Sequence, residues 1–496
     1  MTMTERDPDG NRMFDADPAG CGSALARLAA LGFSEAGVGA RLGLEDLGDL
    51  QPKALPIYRE QCLKARDPLD CAIDLLLLEG ALRPPELDRL FDPPDQEALV
   101  RAGILERAGG CARARVSLYP VGRNLIFSDH AWPRPDQDGP VSTKADQVMY
   151  VGTDSRWLAR ATVRRPVAAA LDLCCGSGVH ALLAAAHAER ATAVDINPRA
   201  VRCTAFNAAA AGLGNLEALQ GDLYRPVGDR RFDLITANPP FVPAPSQEVG
   251  FRDGGPSGED VQRRIVEGLP GHLMPGGMAQ IVTELGERDG EPLERRLRQW
   301  LGGAPMDIHV LRLRVHSAQA YAIGHADGDG QTALLESVGR WAANLRAQGY
   351  RRIVSVLLAF QWSRDPWSRV DEAQPPRRDA GDEVQAIFDA ERLARDPALG
   401  DRLRGGRVAR TGPVALLEAS ALGSPAPSTI RARLAGRAMP VEQPLQPMER
   451  DLLACMEQPV ATADLLAVAA RSNLPGEAIL ESLLALVRKG LVVPLP

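Results

Sequence analysis

Aromatic residues make up only 4% of this 496-residue chain, so its cores must be filled mostly by Ala, Leu and Val. Lysine is nearly missing: Lys53, Lys64, Lys144 and Lys489 are the only four, and arginine carries almost all the positive charge. The net charge of -7 excludes a protein that coats nucleic acid along its whole length, while leaving room for a local basic patch. The eight cysteines contain no CxxC pair and the seven histidines no HxxxH spacing, so no metal site is expected. Scattered thiols without a disulfide framework suit a reducing compartment, and the expected location is the cytoplasm. No apolar run approaches the roughly 20 residues of a membrane helix. The acidic first 20 residues lack the apolar core of a signal peptide or anchor and are expected to form a disordered tail.

The chain is too long for one compact core, and its pattern changes along its length. From about residue 21 to 140, helical Leu/Ala spacing gives way to strands around Gly109-Gly110 and Pro120-Val121-Gly122, the order of a winged-helix module. Residues 141–362 alternate strand and helix. Seven strands are expected between Val167 and Trp362, in a doubly wound Rossmann-like α/β sheet. Residues 363–446, rich in Pro, Arg and Asp, read as a linker or irregular subdomain. Residues 447–496 read as three helices and a short strand, again winged-helix-like. Leu486–Leu491 match Leu99–Ile104 at most positions, with a helix-ending Gly in both.

Four motifs in the central region carry chemistry. In "LDLCCGSG" a strand runs into a loop whose Gly176 and Gly178 permit a sharp turn and close backbone approach to a ligand. Asp172, at the strand end, can accept from a cationic or amino group. In "AVDIN", Asp195 ends the next strand about twenty residues on, where an acidic residue accepts two ribose hydroxyls. Asp195 could equally cap the helix before Pro198, unless Asn197 does so. In "GDLY", Asp222 either meets an adenine amino group or sits in a solvated turn. In "NPPF", Asn238 falls at the carboxyl end of the fourth strand, followed by two prolines that fix φ and carry no N–H. The Asn238 side-chain oxygen and the Pro239 carbonyl can both accept from one planar NH2, while Phe241 offers a face for stacking.

Through "VMYVGTDSRWLAR", "LDLCCGSG", "AVDINPRAV", "GDLY", "NPPFVP" and "FRDGGPSGED", residues 148–362 resemble the class I S-adenosylmethionine-dependent methyltransferases. The resemblance is greatest to the N-methyltransferases with an Asn-Pro-Pro-aromatic signature, among them release-factor glutamine and base-amino enzymes. One departure is Cys174, where the family would have Gly. The resemblance implies S-adenosyl-L-methionine as cofactor. Asp172, Cys174, Gly176 and Gly178 would hold its methionyl end, Asp195 with Ile196 its ribose side, and Asp222 with Leu223 its adenine. Asp154, with Ser155, would close over the cofactor. Asn238 and Pro239 would grip the substrate nitrogen beside Pro240 and Phe241, and Arg252 in "RDGG" would pair with a substrate carboxylate or phosphate.

The implied reaction is in-line displacement at the sulfonium methyl by a planar amide or amino nitrogen of a macromolecule, a protein glutamine or a nucleobase of rRNA or tRNA. Two acceptors on the nitrogen's hydrogens stabilise the charge that develops there. Phe241 occurs with base-type substrates, while "RDGG" leans toward the glutamine type. An alternative is a small-molecule methyltransferase with a winged-helix dimerisation domain. A third reading, a DNA-binding regulator, fares poorly. The recognition segment "DQEALVRAG" sets Asp95 and Glu97 against Arg101, and the C-terminal equivalent sets Glu477 and Glu481 against Arg488 and Lys489. The basic wing with Arg113, Arg115 and Arg123 keeps RNA contact open.

Overall fold

The computed structural model describes residues 14, 18–51, 54–130, 146–246, 250–328, 330–419 and 429–495. They fall into two compact units. The first comprises residues up to 159, 165–308 and 315–368; the second comprises 160–164, 309–314 and 369 onward.

The first unit is built on strands β1 (Val167–Leu173), β2 (Ala188–Asp195), β3 (Leu216–Gln220), β4 (Phe232–Ala237), β5 (Leu273–Glu287) and β7 (Arg352–Trp362); of β6 (Met306–Ser317), residues 309–314 are assigned to the second unit. Strands β3, β2, β1, β4 and β5 are hydrogen-bonded in that order and all parallel, and β7 runs antiparallel to β5. The order reverses between β1 and β4, which creates a crevice at their carboxyl ends. Crossover helices α2 (Val179–Ala185), α3 (Pro198–Ala210) and α4 (Asp260–His272) link the parallel strands, and α1 (Thr153–Ala161) precedes them. The strands read as apolar runs because helices cover the sheet: Ala170 to Leu173 of β1 and Leu234 to Ala237 of β4 are all buried. Between β6 and β7 the chain inserts a helical pair, α5 (Ala318–His325) and α6 (Gln331–Ala347). The sequence pattern indicates α6. The eight-residue α5 is too short and too weakly two-faced to stand out.

Ahead of α1, six helices between Gly22 and Arg101 surround a three-stranded antiparallel sheet of Ala81–Leu82, Cys111–Ala114 and Leu105–Ala108. Gly109 and Gly110, both at positive φ, make the turn between the last two strands. A second hairpin pairs Ser117–Val121 with Asn124–Ser128. The expected N-terminal tail lies largely outside the described residues, but Phe14 departs from it. Its ring is buried edge-on to Phe206 at 5.5 Å, and Pro18–Cys21 form a 3-10 turn.

The second unit corrects the expected irregular character of residues 363–446. They carry helices Gly381–Ala394 and Leu399–Gly405 and five strands: Ser368–Ala373, Arg407–Arg410, Val414–Ala419, Thr429–Leu434 and Val441–Pro444. The arginine content hid a two-residue period: in Thr429–Leu434, Ile430 and Ala432 are buried while Arg431 stands exposed between them. The strand Arg407–Arg410 also pairs with Val460–Ala461 and Val492–Leu495, so the C-terminal helices share a sheet and a core with residues before 447.

Candidate active site

A cavity of about 500 Å³ opens at the carboxyl ends of the parallel strands in the first unit. Of the site residues expected from the sequence, Ser155, Cys174, Gly176, Asp195, Ile196, Asp222, Leu223, Asn238 and Pro240 line it, while Asp154, Asp172, Gly178 and Pro239 lie behind that lining.

The loop after β1 owes its shape to positive-φ backbone. Cys174 (φ 57°), Gly176 (54°) and Gly178 (82°) all lie in the left-handed region, so Cys174 stands where a glycine would be unstrained. Gly178 packs against Thr204; a Cβ there would come within 2.7 Å of it. Leu223 after β3 is a second non-glycine at positive φ (49°). Side chains held in this conformation cluster at functional sites.

The carboxylates sit at different depths. Asp172 is 1% exposed beneath the loop. Thr236 Oγ1 donates to it at 2.9 Å and the Ala181 N–H at 3.1 Å. Burial outweighs these hydrogen bonds and, with the nearby Asp195 charge, pushes its pKa up to about 7. Asp195 accepts from the Gly176 N–H and the Asn197 N–H, each at 2.9 Å, and burial raises its pKa too. It does not cap α3. Asn197 does, accepting from the Arg199 N–H at 2.9 Å. Ile196 beside it is 69% exposed, an apolar surface with nothing packed over it. Asp222 is ion-paired at 2.6 Å with Arg264 of α4, which also lines the cavity. Arg264 had no signal in the sequence, being one arginine among many on an amphipathic helix.

Asn238 is held by its amide nitrogen. Nδ2 donates to Asp154 Oδ2 at 3.0 Å and to Ser155 Oγ at 3.1 Å, both from the first turn of α1. Burial raises the Asp154 pKa. No described donor reaches the Asn238 Oδ1 or the Pro239 carbonyl.

Phe241 and Arg252 do not line the cavity. Phe241 packs against the cluster containing Tyr321, Trp341 and Leu345 of α5 and α6. The Arg252 Nε donates to Asp253 at 2.8 Å, and its guanidinium lies 6.0 Å from the Trp341 ring centroid. The cavity wall here is made by Pro240, Phe251 and Gly254. The "RDGG" loop is pressed against the "NPPF" backbone. The Val242 N–H donates to the Arg252 carbonyl at 3.0 Å, and a Cβ on Gly258 would sit 2.4 Å from the Phe241 carbonyl. From α6, Asn344 Nδ2 donates to the carbonyls of Pro243 and Pro256, both at 2.9 Å. These long-range contacts carry no local motif.

A glycine-shaped loop, the carboxylates of Asp195 and Asp222 and the Asn238 amide form a basin suited to a cationic, nucleoside-like ligand. Comparison with known proteins agrees. Residues 151–302 match the family described as Methyltransferase small domain. A ribosomal protein uL3 glutamine methyltransferase of Bordetella pertussis is 38% identical over 228 residues, 43% of this chain and 69% of that protein. A release factor glutamine methyltransferase of Cereibacter sphaeroides is 29% identical over 290 residues, 54% of this chain and 84% of that one. A ribosomal protein uL3 glutamine methyltransferase of Bradyrhizobium diazoefficiens is 43% identical over 130 residues; that match covers 23% of this chain and spans only 40% of the relative's length.

Proposed function

The chain belongs to the class I S-adenosylmethionine-dependent methyltransferases of the release-factor glutamine type, and we propose that it methylates the side-chain amide nitrogen of a protein glutamine. The observation that carries this reading is Asn238, whose amide nitrogen is held from α1 while no described donor meets its Oδ1, at the cavity of a chain whose relatives are named for glutamine methylation.

The residues present fit S-adenosylmethionine. Asp172 offers charge to its cationic end, and the loop Cys174–Gly178 gives the backbone clearance the methionyl group needs. Asp195, with one N–H on each oxygen, keeps lone pairs for the ribose hydroxyls. Ile196 and Leu223 supply apolar surface for adenine, with Asp222 for its amino group. When bound, the cofactor supplies an electrophilic methyl on a sulfonium. The chain does the rest by positioning. An amide nitrogen is a poor nucleophile because its lone pair is delocalised. Asn238 Oδ1 and the Pro239 carbonyl each accept one of its hydrogens, which favours pyramidal geometry and stabilises the positive charge that grows on nitrogen. Pro239 and Pro240 keep this corner stiff, and Asn344 and Gly258 brace it from behind.

The finer architecture follows the same reading. The order and directions of the six paired strands support a seven-stranded methyltransferase sheet. The three-stranded sheets beside short helices at both ends of the chain support winged-helix-like modules that dock a macromolecular substrate. Among the described residues no helix is long and apolar enough to cross a membrane.

Incubation with cofactor labelled in its methyl group and a cell extract, followed by protease or nuclease, tests the substrate class. The expected label is protease-sensitive and yields N5-methylglutamine on hydrolysis with amide-preserving enzymes. Label released by nuclease would favour a nucleobase, and label confined to low-mass material the small-molecule alternative.

A further inference from the structure

We propose that Asp154 and Ser155 are positioning residues for the substrate side, fixing the polarity of the Asn238 carboxamide so that its oxygen, not its NH2, meets the substrate nitrogen. This rests on the reading of Asn238 as an acceptor for the substrate amide. It assigns Asp154 a role different from the cofactor contact that family resemblance implies.

A carboxamide is nearly the same shape after a 180° turn about its last bond, but the turn exchanges an acceptor for a donor. At Asn238 the turned form would aim an NH2 at a substrate that also presents NH2, and the transition-state hydrogen bond would be lost. The Asp154 carboxylate, when ionised, can only accept, and it is the Asn238 Nδ2 that lies 3.0 Å from its Oδ2. The Ser155 Oγ adds a second acceptor at 3.1 Å. Both Asn238 NH2 hydrogens thereby have partners, and Oδ1 is left for the cavity. The two residues reach Asn238 from 84 and 83 positions upstream. Their helix is itself tethered by Thr153 Oγ1, which donates to the Gly48 carbonyl at 2.7 Å.

A charged acceptor on Nδ2 also polarises the amide, drawing electron density to Oδ1, where positive charge on the substrate nitrogen must be met. The ionisable groups whose charge is felt with that of Asp154 are Tyr150, four residues earlier, and Glu284 of β5, which is held by Tyr321 and Ser355. Neither is a cation; burial raises the Asp154 pKa, and the hydrogen bonds from Asn238 and the start of α1 oppose that rise.

The test compares Asp154→Ala, Asp154→Asn, Ser155→Ala and Asn238→Ala. It reads cofactor affinity by calorimetry and label transfer from tritiated S-adenosylmethionine into the protein fraction of a cell extract. Transfer should fall about 100-fold in Asp154→Ala and about tenfold in Ser155→Ala. Asp154→Asn, which keeps an oxygen able to accept, should recover part of the loss, and cofactor Kd should stay within about threefold throughout. Without any substrate, the side-chain NH2 resonances of Asn238 in asparagine-labelled protein should shift as Asp154 titrates, and stand still in Asp154→Asn. That spectrum keeps the proposal open to refutation if Asp154→Ala does not fold. A cofactor Kd weakened more than tenfold by Asp154→Ala would overturn the proposal in favour of a cofactor contact. Full transfer in Asp154→Ala with none in Asn238→Ala would sink the polarity role alone. Full transfer in both would remove the reading of Asn238 itself.

Discussion

The two sides of the cavity are built by different means. On the cofactor side, the pieces are strand ends and the turns that follow them. Asp195 reaches Gly176 across only 19 residues of sequence, and the shape comes from left-handed backbone at residues 174, 176 and 223. On the substrate side, each piece is bracketed by a distant one. Asn238 is held from 84 residues upstream and Pro243 from 101 residues downstream. The first design recognises a ligand with backbone groups and carboxylates that any sheet of this topology can offer. The second, on the proposed reading of Asn238, must aim its acceptor within tenths of an ångström, and a loop alone does not hold such aim. Damage on the cofactor side should therefore appear in affinity, and damage on the substrate side in turnover.

The sharpest way to break this division is Asn238→Ala. Loss of one preorganised acceptor should lower turnover about 10²- to 10³-fold while cofactor Kd, read by calorimetry, changes less than threefold. Equal losses in both would mean the two sides are not separable. The converse variant, Asp195→Ala, removes the acceptor proposed for the ribose together with the partner of the Gly176 and Asn197 N–H groups. Cofactor affinity should fall about 10- to 100-fold, with turnover at saturating cofactor nearly preserved.

The same contrast explains what was legible in the sequence. The places of Gly176, Asp195, Asp222 and Asn238 at the cavity could be read because each lies at the end of a strand or in the turn just after it, at a spacing the fold dictates. The choice of Asn197 over Asp195 as helix cap was open and is resolved by one hydrogen bond. The stacking role expected of Phe241 and the substrate pairing expected of Arg252 did not carry over. Both depend on α5 and α6, which occupy the gap between β6 and β7 and draw these side chains toward Trp341. Nothing local to residues 241 or 252 encodes that.

A subtler test uses pH. Asp172 titrates near 7 because burial disfavours its charged form. Its pKa is raised above the unfolded value of about 4. The folded protein therefore binds more protons than the unfolded chain between those values, and ligand-free stability contributed by this group is lost as pH rises from about 4 through 7. Cofactor binding should show the opposite trend, since a cation favours the ionised form. Kd should tighten as pH rises from 6 toward 7 and level off above it, with proton release visible in buffers of different ionisation heat. Asp172→Asn should abolish both trends and bind weakly at every pH.

The smallest effect is expected at Arg252, and it sharpens the comparison because the residue flanks the substrate side without facing the cavity. Its side chain is 37% exposed, while that of its partner Asp253 is fully buried. Arg252→Ala takes one hydrogen bond from the Asp253 carboxylate, and a cation from the face of Trp341. A half-exposed pair of this kind contributes about 1 kcal/mol or less. Melting temperature should drop by a few degrees at most, and turnover should change less than about threefold, through slight loosening of the loop on Val242. Were Arg252 a substrate anchor instead, the Michaelis constant for the protein acceptor would rise tenfold or more at unchanged melting temperature. A helix-braced wall and an arginine clamp thus give opposite signatures, and the observed packing against Trp341 favours the wall.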